Sequence, residues 1–248
     1  MRPFLALCLC LSLVARADEA VVAVATNFSV VLIDLKPRFE ERTGHRLTIA
    51  AGSTGKLYAQ IASGAPFDVF LSADQARPIL LENSGLGVAA TRFTYATGRL
   101  ALFVSERNQA GADLRQTLRA PWIRRFAIAN PALAPYGAAA RDTLQSLDVW
   151  ETLSARIVMG ENIGQAFALV ATGNADAGLV ALSGILTGEY RPGRYLEVPP
   201  ELHTPIRQDA ILLAHGAGNA AARALLAYLR NDPAASARIA AFGYGGQE

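Results

Sequence analysis

The sequence predicts an α/β protein built as two lobes, each a mostly parallel sheet flanked by helices, with two crossing strands as the hinge. Three observations lead there. Strand, polar turn and helix recur four times along the chain, an alternation that builds parallel sheets. Two apolar, β-prone segments, residues 99–104 and 209–214, are not followed by a helix-start turn and read as crossings between lobes. Hydrophobic residues make up 52% of the 248 positions, enough to bury two modest cores or one large one.

The first seventeen residues stand apart from this pattern. Met1-Arg2-Pro3 is charged, residues 4–14 are apolar, and Ala15-Arg16-Ala17 ends in small residues, the three regions of a cleaved secretory signal. Cleavage is expected after Ala17, which makes the mature chain an exported one. Both cysteines, Cys8 and Cys10, lie inside this leader. The exported chain then has no thiol, and with it no disulfide, cysteine metal site or cysteine nucleophile.

Losing the leader removes Arg2 and Arg16, so the 23 basic residues fall to 21 against 21 acidic ones. A neutral chain without a clustered Lys/Arg patch is a poor partner for nucleic acid or an anionic membrane. A bound anion would have to be held by local dipoles instead.

The four units follow in order. Residues 21–25 form a strand, Thr26-Asn27 the turn, and residues 28–42 an amphipathic helix that ends near Thr43-Gly44. Residues 47–50 form the second strand, Gly52-Ser53-Thr54-Gly55 its turn, and residues 56–63 a helix carrying Leu57, Tyr58 and Ile61 at helical spacing. The third unit has a strand at 126–129, a longer turn over 130–136 with Pro131 and Pro135, and a helix over 137–147. The fourth has a strand at 156–159, the turn Gly160-Glu161-Asn162-Ile163-Gly164, and a helix over 165–171. The tail, residues 219–242, reads as two Ala-rich helices broken at Asn231-Asp232-Pro233. On this pattern residues 20–97 with 209–248 form one lobe and residues 98–208 the other.

In open α/β sheets the ligand crevice lies beyond the carboxyl ends of the strands, where all four turns would gather. The first N–H groups of a helix have no partner within it and sit at the positive end of its dipole, so a helix-start turn can seat an anion without a charged side chain. Ser53, Thr54, Thr26 and Asn27 can equally serve only to cap their own helices. His45, His203 and His215 are scattered without metal-ligand spacing. An exported enzyme on this fold would lack a thiol nucleophile, a Gly-x-Ser-x-Gly elbow and a metal cluster; neither enzyme nor cofactor is expected.

Several blocks carry a family resemblance: Ala25-Thr26-Asn27-Phe28, the GSTGKL of residues 52–57, the run from Gln60 to Pro66, the run from Asp68 to Asp74, and Glu161-Asn162-Ile163. In this order, over essentially the whole mature chain, they resemble the periplasmic molybdate-binding proteins of ABC importers. The resemblance implies a type II periplasmic binding-protein fold whose lobes close on a tetrahedral oxyanion, molybdate or tungstate, and present it to a membrane permease. It implies a ligand position at Thr26 and Asn27, a second at Ser53 or Thr54, a third at Tyr136, and a backbone donor at Ile163. Where many members place a site tyrosine, this chain has Ala181, and Tyr136 is expected to replace that hydroxyl from across the cleft. Sulfate or another small tetrahedral oxyanion is the alternative cargo. The expected partners are the small ion and the permease, with the protein itself a monomer outside the membrane.

Overall fold

The computed structural model describes residues 17–188, 190 and 193–246, so the expected leader lies outside the described residues except for Ala17. The first lobe runs through β1 (Glu19–Ala25), α1 (Thr26–Thr43), β2 (Arg46–Gly52), α2 (Thr54–Ala62), β3 (Val69–Leu71), α3 (Ala76–Asn83) and β4 (Phe93–Gly98). The second contains β5 (Leu100–Val104), α4 (Leu114–Leu118), β6 (Phe126–Ala129), α5 (Pro135–Ser146), α6 (Trp150–Ser154), β7 (Ile157–Gly160), α7 (Ile163–Ala171), β8 (Ala177–Ala181), α8 (Leu182–Leu186) and β9 (Tyr195–Glu197). After a 3₁₀ turn at Pro200–Leu202 the chain returns to the first lobe as β10 (Ile206–Leu212), α9 (Ala220–Asn231) and α10 (Pro233–Ala241).

Among the described residues these strands form two five-stranded sheets, ordered β2-β1-β3-β10-β4 and β7-β6-β8-β5-β9. The lobes are joined where β4 passes into β5 and where the segment after β9 returns to β10. The returning strand already pairs at Ile206 with Gly98, three residues before the crossing segment expected at 209–214. A bulge between Gln208 and Asp209 interrupts that pairing.

Two parallel registers position the site. Ala25 stands opposite Gly52 at the carboxyl ends of β1 and β2, and Ala129 stands opposite Gly160 at those of β6 and β7. The turns that follow are therefore neighbours in pairs, one pair in each lobe. Strands buried on both faces explain the unbroken apolar runs. Val22 and Val24 of β1 face α1 and the tail helices, while Ala23 faces the layer of Leu57, Ile61 and Phe70. α1 packs Phe28, Val31, Leu32, Leu35 and Phe39 on its sheet side, one apolar stripe of an amphipathic helix. It ends at Gly44, which adopts φ 72° and donates its N–H to the Glu40 carbonyl, a left-handed terminus that glycine supplies without strain.

Asp232 fastens the tail to this lobe. It caps α10 by accepting from the N–H groups of Ala234 at 2.9 Å and Ala235 at 2.8 Å, and it pairs with Arg42 of α1. The Ala235 N–H, with Arg42 beside it, outweighs desolvation and holds its carboxyl below the ordinary 3.8. Its stabilising effect is therefore complete above that value and is lost as pH falls through the lower, folded one. Asp232→Ala is expected to cost about 1 to 2 kcal/mol at neutral pH, measured by urea unfolding. The gap between variant and parent should narrow toward about pH 3.

Candidate functional site

α1, α2, α5 and α7 all begin at one small cavity between the lobes, with a volume of about 10 Å³. That is close to the least that holds a single ordered water, a size for one small ion and not for an organic solute. Thr26, Asn27, Ser53, Thr54, Tyr136 and Ile163 all line it, with Asn162 and small residues such as Gly52 and Ala73 between them. No charged side chain is among the lining residues. The converging helix N-termini supply its positive potential.

Ser53 is the N-cap of α2, yet its side chain makes no capping bond. Its hydroxyl is buried without a hydrogen-bond partner in the protein; among the described residues only the Tyr228 hydroxyl shares that condition. A buried polar group normally finds a partner, which singles this hydroxyl out among the residues that line the cavity. Next to it Thr54 is buried, and its Oγ1 accepts from the Ala73 N–H at 3.1 Å. That bond ties α2 to the end of β3 and leaves the Thr54 O–H free to donate. Ala25, not Thr26 or Asn27, occupies the cap position of α1, again without a side-chain bond.

Two positions read from the resemblance present a different atom from the expected one. The Asn27 amide nitrogen donates to Gln208 Oε1 at 2.8 Å and to the Tyr244 hydroxyl at 3.0 Å. Its side-chain donors are thereby committed to the interior, leaving its backbone N–H at the cavity. The Tyr136 hydroxyl accepts from Gln208 Nε2 at 3.2 Å and packs against the hinge glycine Gly98. It also hydrogen-bonds the Tyr244 hydroxyl, so the group expected to replace the hydroxyl missing at Ala181 is engaged behind the cavity. As a first-turn residue of α5, Tyr136 instead offers its N–H, which no i−4 carbonyl can satisfy.

Ile163 opens α7 with its side chain in the second core. Around it Asn162 Oδ1 accepts from the Gln165 N–H at 3.0 Å, and Gln165 Oε1 accepts from the Glu161 N–H at 2.8 Å. These bonds leave the Ile163 N–H to the cavity. The Glu161 carboxylate is drawn to Lys56 of the opposite lobe, 3.1 Å away at the rim. Lys56 thus neutralises that carboxylate.

Gln208, Tyr244 and Ser183, which hold the site residues from behind, went unread in the sequence. The available signal was the polar run Arg207-Gln208-Asp209 leading into the apolar Ala210-Ile211-Leu212 of the same strand. Asp68 accepts from the Val21 N–H and contacts His215, and Asp74, next to Ala73, accepts from the Arg77 N–H and pairs with Arg77; both fasten local structure and neither lines the cavity.

The family model described as bacterial extracellular solute-binding protein matches residues 20–245. The molybdate-binding protein ModA of Azotobacter vinelandii is 44% identical over 236 residues, covering 95% of this chain and 93% of that protein. The ModA of Rhodobacter capsulatus is 43% identical, covering 97% and 93%. Among solved structures, the periplasmic molybdate-binding protein of Azotobacter vinelandii superposes with a TM-score of 0.86 at 38% identity, covering 93% of this chain and all (100%) of that one. The sulfate-binding protein SubI of Mycobacterium tuberculosis reaches 0.74 at 14% identity, covering 92% and 86%, a likeness of fold alone.

Proposed function

The chain belongs to the bacterial extracellular solute-binding protein family, and from that premise we propose that it captures molybdate, and tungstate with it, between its lobes and delivers the ion to the permease of an ABC importer. It is a solute-binding protein of two lobes and not an enzyme. Periplasmic residence after cleavage of the leader belongs to the same proposal, as does the ion's status as cargo rather than cofactor. No helix among the described residues is long and apolar enough to cross a membrane.

The observation that carries this reading is the buried, partnerless Ser53 hydroxyl in a cavity of helix N-termini. Molybdate, tungstate and sulfate carry two charges and no proton near neutral pH, and a lining of donors suits all three. Phosphate still bears a proton and needs an acceptor, and no carboxylate lines the cavity. Sulfate has the same charge as molybdate, so a donor-only site distinguishes them by size, the larger ion reaching donors of both lobes at once. Closure around the hinge then buries the ion.

Ser53→Ala tests the reading. Removing a donor to a charged partner is expected to cost about 1.5 to 3 kcal/mol, roughly tenfold to a hundredfold in molybdate Kd by calorimetry. The ligand-free variant should melt no lower than the parent, because a buried hydroxyl without a partner has been deleted. Unchanged affinity would remove Ser53 from the site and with it the main support for this cavity.

A further inference from the structure

Behind the cavity lies a buried polar cluster that joins both lobes and the C-terminal tail. Gln208, fully buried on β10, accepts at Oε1 from Asn27 Nδ2 at 2.8 Å and from the Tyr95 hydroxyl at 2.9 Å. With both donors on that oxygen, its amide nitrogen is fixed toward α5 of the opposite lobe, where it donates to the Tyr136 hydroxyl at 3.2 Å. Gly98, the last residue before the chain crosses lobes, makes room for this bond. A Cβ there would lie 2.2 Å from the Tyr136 oxygen and 2.6 Å from Gln208 Nε2.

The second arm comes from the tail. The Tyr244 hydroxyl donates to the Asn27 carbonyl at 2.7 Å and lies 3.1 Å from Ser183 Oγ on α8 of the opposite lobe. Ser183 Oγ donates to the same carbonyl at 3.2 Å. Asn27 and Tyr136 thus face two ways: main chain to the ion cavity, side chain to the cluster. A shift of one lobe against the other would break the Gln208–Tyr136 and Tyr244–Ser183 contacts together.

We propose that Gln208 and Tyr244 are positioning residues of an interlobe lock, assembled only when the lobes close, that sets how slowly the bound ion is released. The proposal rests on the reading of the cavity as an oxyanion site. Neither residue touches the cavity, and both act through Asn27 and Tyr136. Burial holds the hydroxyls of Tyr95 and Tyr136 well above their ordinary range and pushes Tyr244 up to about 12, so the lock keeps its protons at neutral pH.

Gln208→Met and Tyr244→Phe are suitable variants because the first lobe stays satisfied in both. Without Gln208 the Tyr95 hydroxyl keeps the Ser72 carbonyl at 3.1 Å and the Asn27 amide keeps Tyr244. Without the Tyr244 hydroxyl the Asn27 amide keeps Gln208, its carbonyl keeps Ser183, and the ring still packs edge-on to Phe28. In the chain from Asp18 onward, which has no cysteine, Ala59→Cys on α2 and Ala168→Cys on α7 place spin labels on exposed positions of opposite lobes.

Two quantities are read in each background: the label–label distance with saturating molybdate, and the capture and release rates by stopped-flow fluorescence, with tungstate as the chase. The parent should show one short distance. Each variant should show a mixture of short and long distances and release molybdate roughly fivefold to twentyfold faster, with the capture rate unchanged. A merely structural role would not divide the two rates in this way.

Variants that close as fully and release as slowly as the parent overturn the lock. If molybdate fails to close the parent, the same distances are measured with tungstate, sulfate and phosphate. Closure by sulfate or phosphate alone sinks the molybdate reading while still testing the lock, and a parent that none of the four closes overturns both.

Discussion

Ile163→Pro is expected to fold as the parent does and to bind molybdate at least tenfold to a hundredfold more weakly. Ile163 is the first residue of α7, the position where proline's missing N–H breaks no helical bond and its fixed φ already suits the helix. The preceding residue, Asn162, has φ −139° and ψ 172°, within the extended region to which a residue before proline is confined. The substitution therefore removes one donor from the cavity while leaving the helix intact. A hydrogen bond to a charged acceptor contributes about 1.5 to 3 kcal/mol, and the ring carbons would also crowd the ion. Calorimetry of the variant measures the binding loss, and its thermal midpoint without ligand should fall by several degrees, because the Ile163 side chain it replaces packs in the second core. Full affinity would place the ion elsewhere.

Arg92→Met is expected to produce the largest loss of stability, about 3 to 5 kcal/mol. Asp209 is fully buried beside the bulge of β10, and Arg92 Nη1 lies 2.6 Å from its carboxylate. The Asp209 carboxylate also accepts from Thr94 Oγ1 at 2.7 Å and Gln75 Nε2 at 3.2 Å. Those neutral donors do not cancel a charge, so deleting Arg92 strands a carboxylate in the core. The bond to Asp209, with Glu82 on the other side of the guanidinium, in turn raises the Arg92 pKa above its ordinary value. Urea unfolding at neutral pH measures the loss. Arg92→Met combined with Asp209→Asn should recover most of it, because no charge is then left unpaired. A double variant as unstable as the single one would locate the cost in packing rather than in charge.

The parts of the fold visible in the sequence were those set by local chemistry. Apolar runs marked β1, β2, β6 and β7, and the polar turns after them marked where four helices begin. The helix starts were read two residues late in each case, at 28, 56, 137 and 165 rather than Thr26, Thr54, Pro135 and Ile163. A first helical turn has no i−4 hydrogen bond, so its residues resemble loop in sequence. They are also the residues that line the cavity.

What sequence did not reveal depends on contacts far apart in the chain. Asn27 meets Gln208 across 181 positions and Tyr244 across 217, and no local pattern says that these claim its amide. The same holds for Tyr136, whose ring could have pointed its hydroxyl at the ion. Only the packing of β10 beside the hinge, with Gly98 leaving space, turns it away. Ser53 was legible as a candidate but not as a partnerless hydroxyl, since the alternative of capping α2 could be decided only by geometry.

That the cavity is a donor-only seat for a doubly charged tetrahedral oxyanion is tested most directly by calorimetric titration of the dialysed chain from Asp18 with molybdate, tungstate, sulfate and phosphate. Tight one-to-one binding of molybdate and tungstate, with weak sulfate and no heat from phosphate, is the expected result. Phosphate binding as tightly as molybdate would contradict it, because a lining without a carboxylate gives the phosphate proton no strong acceptor.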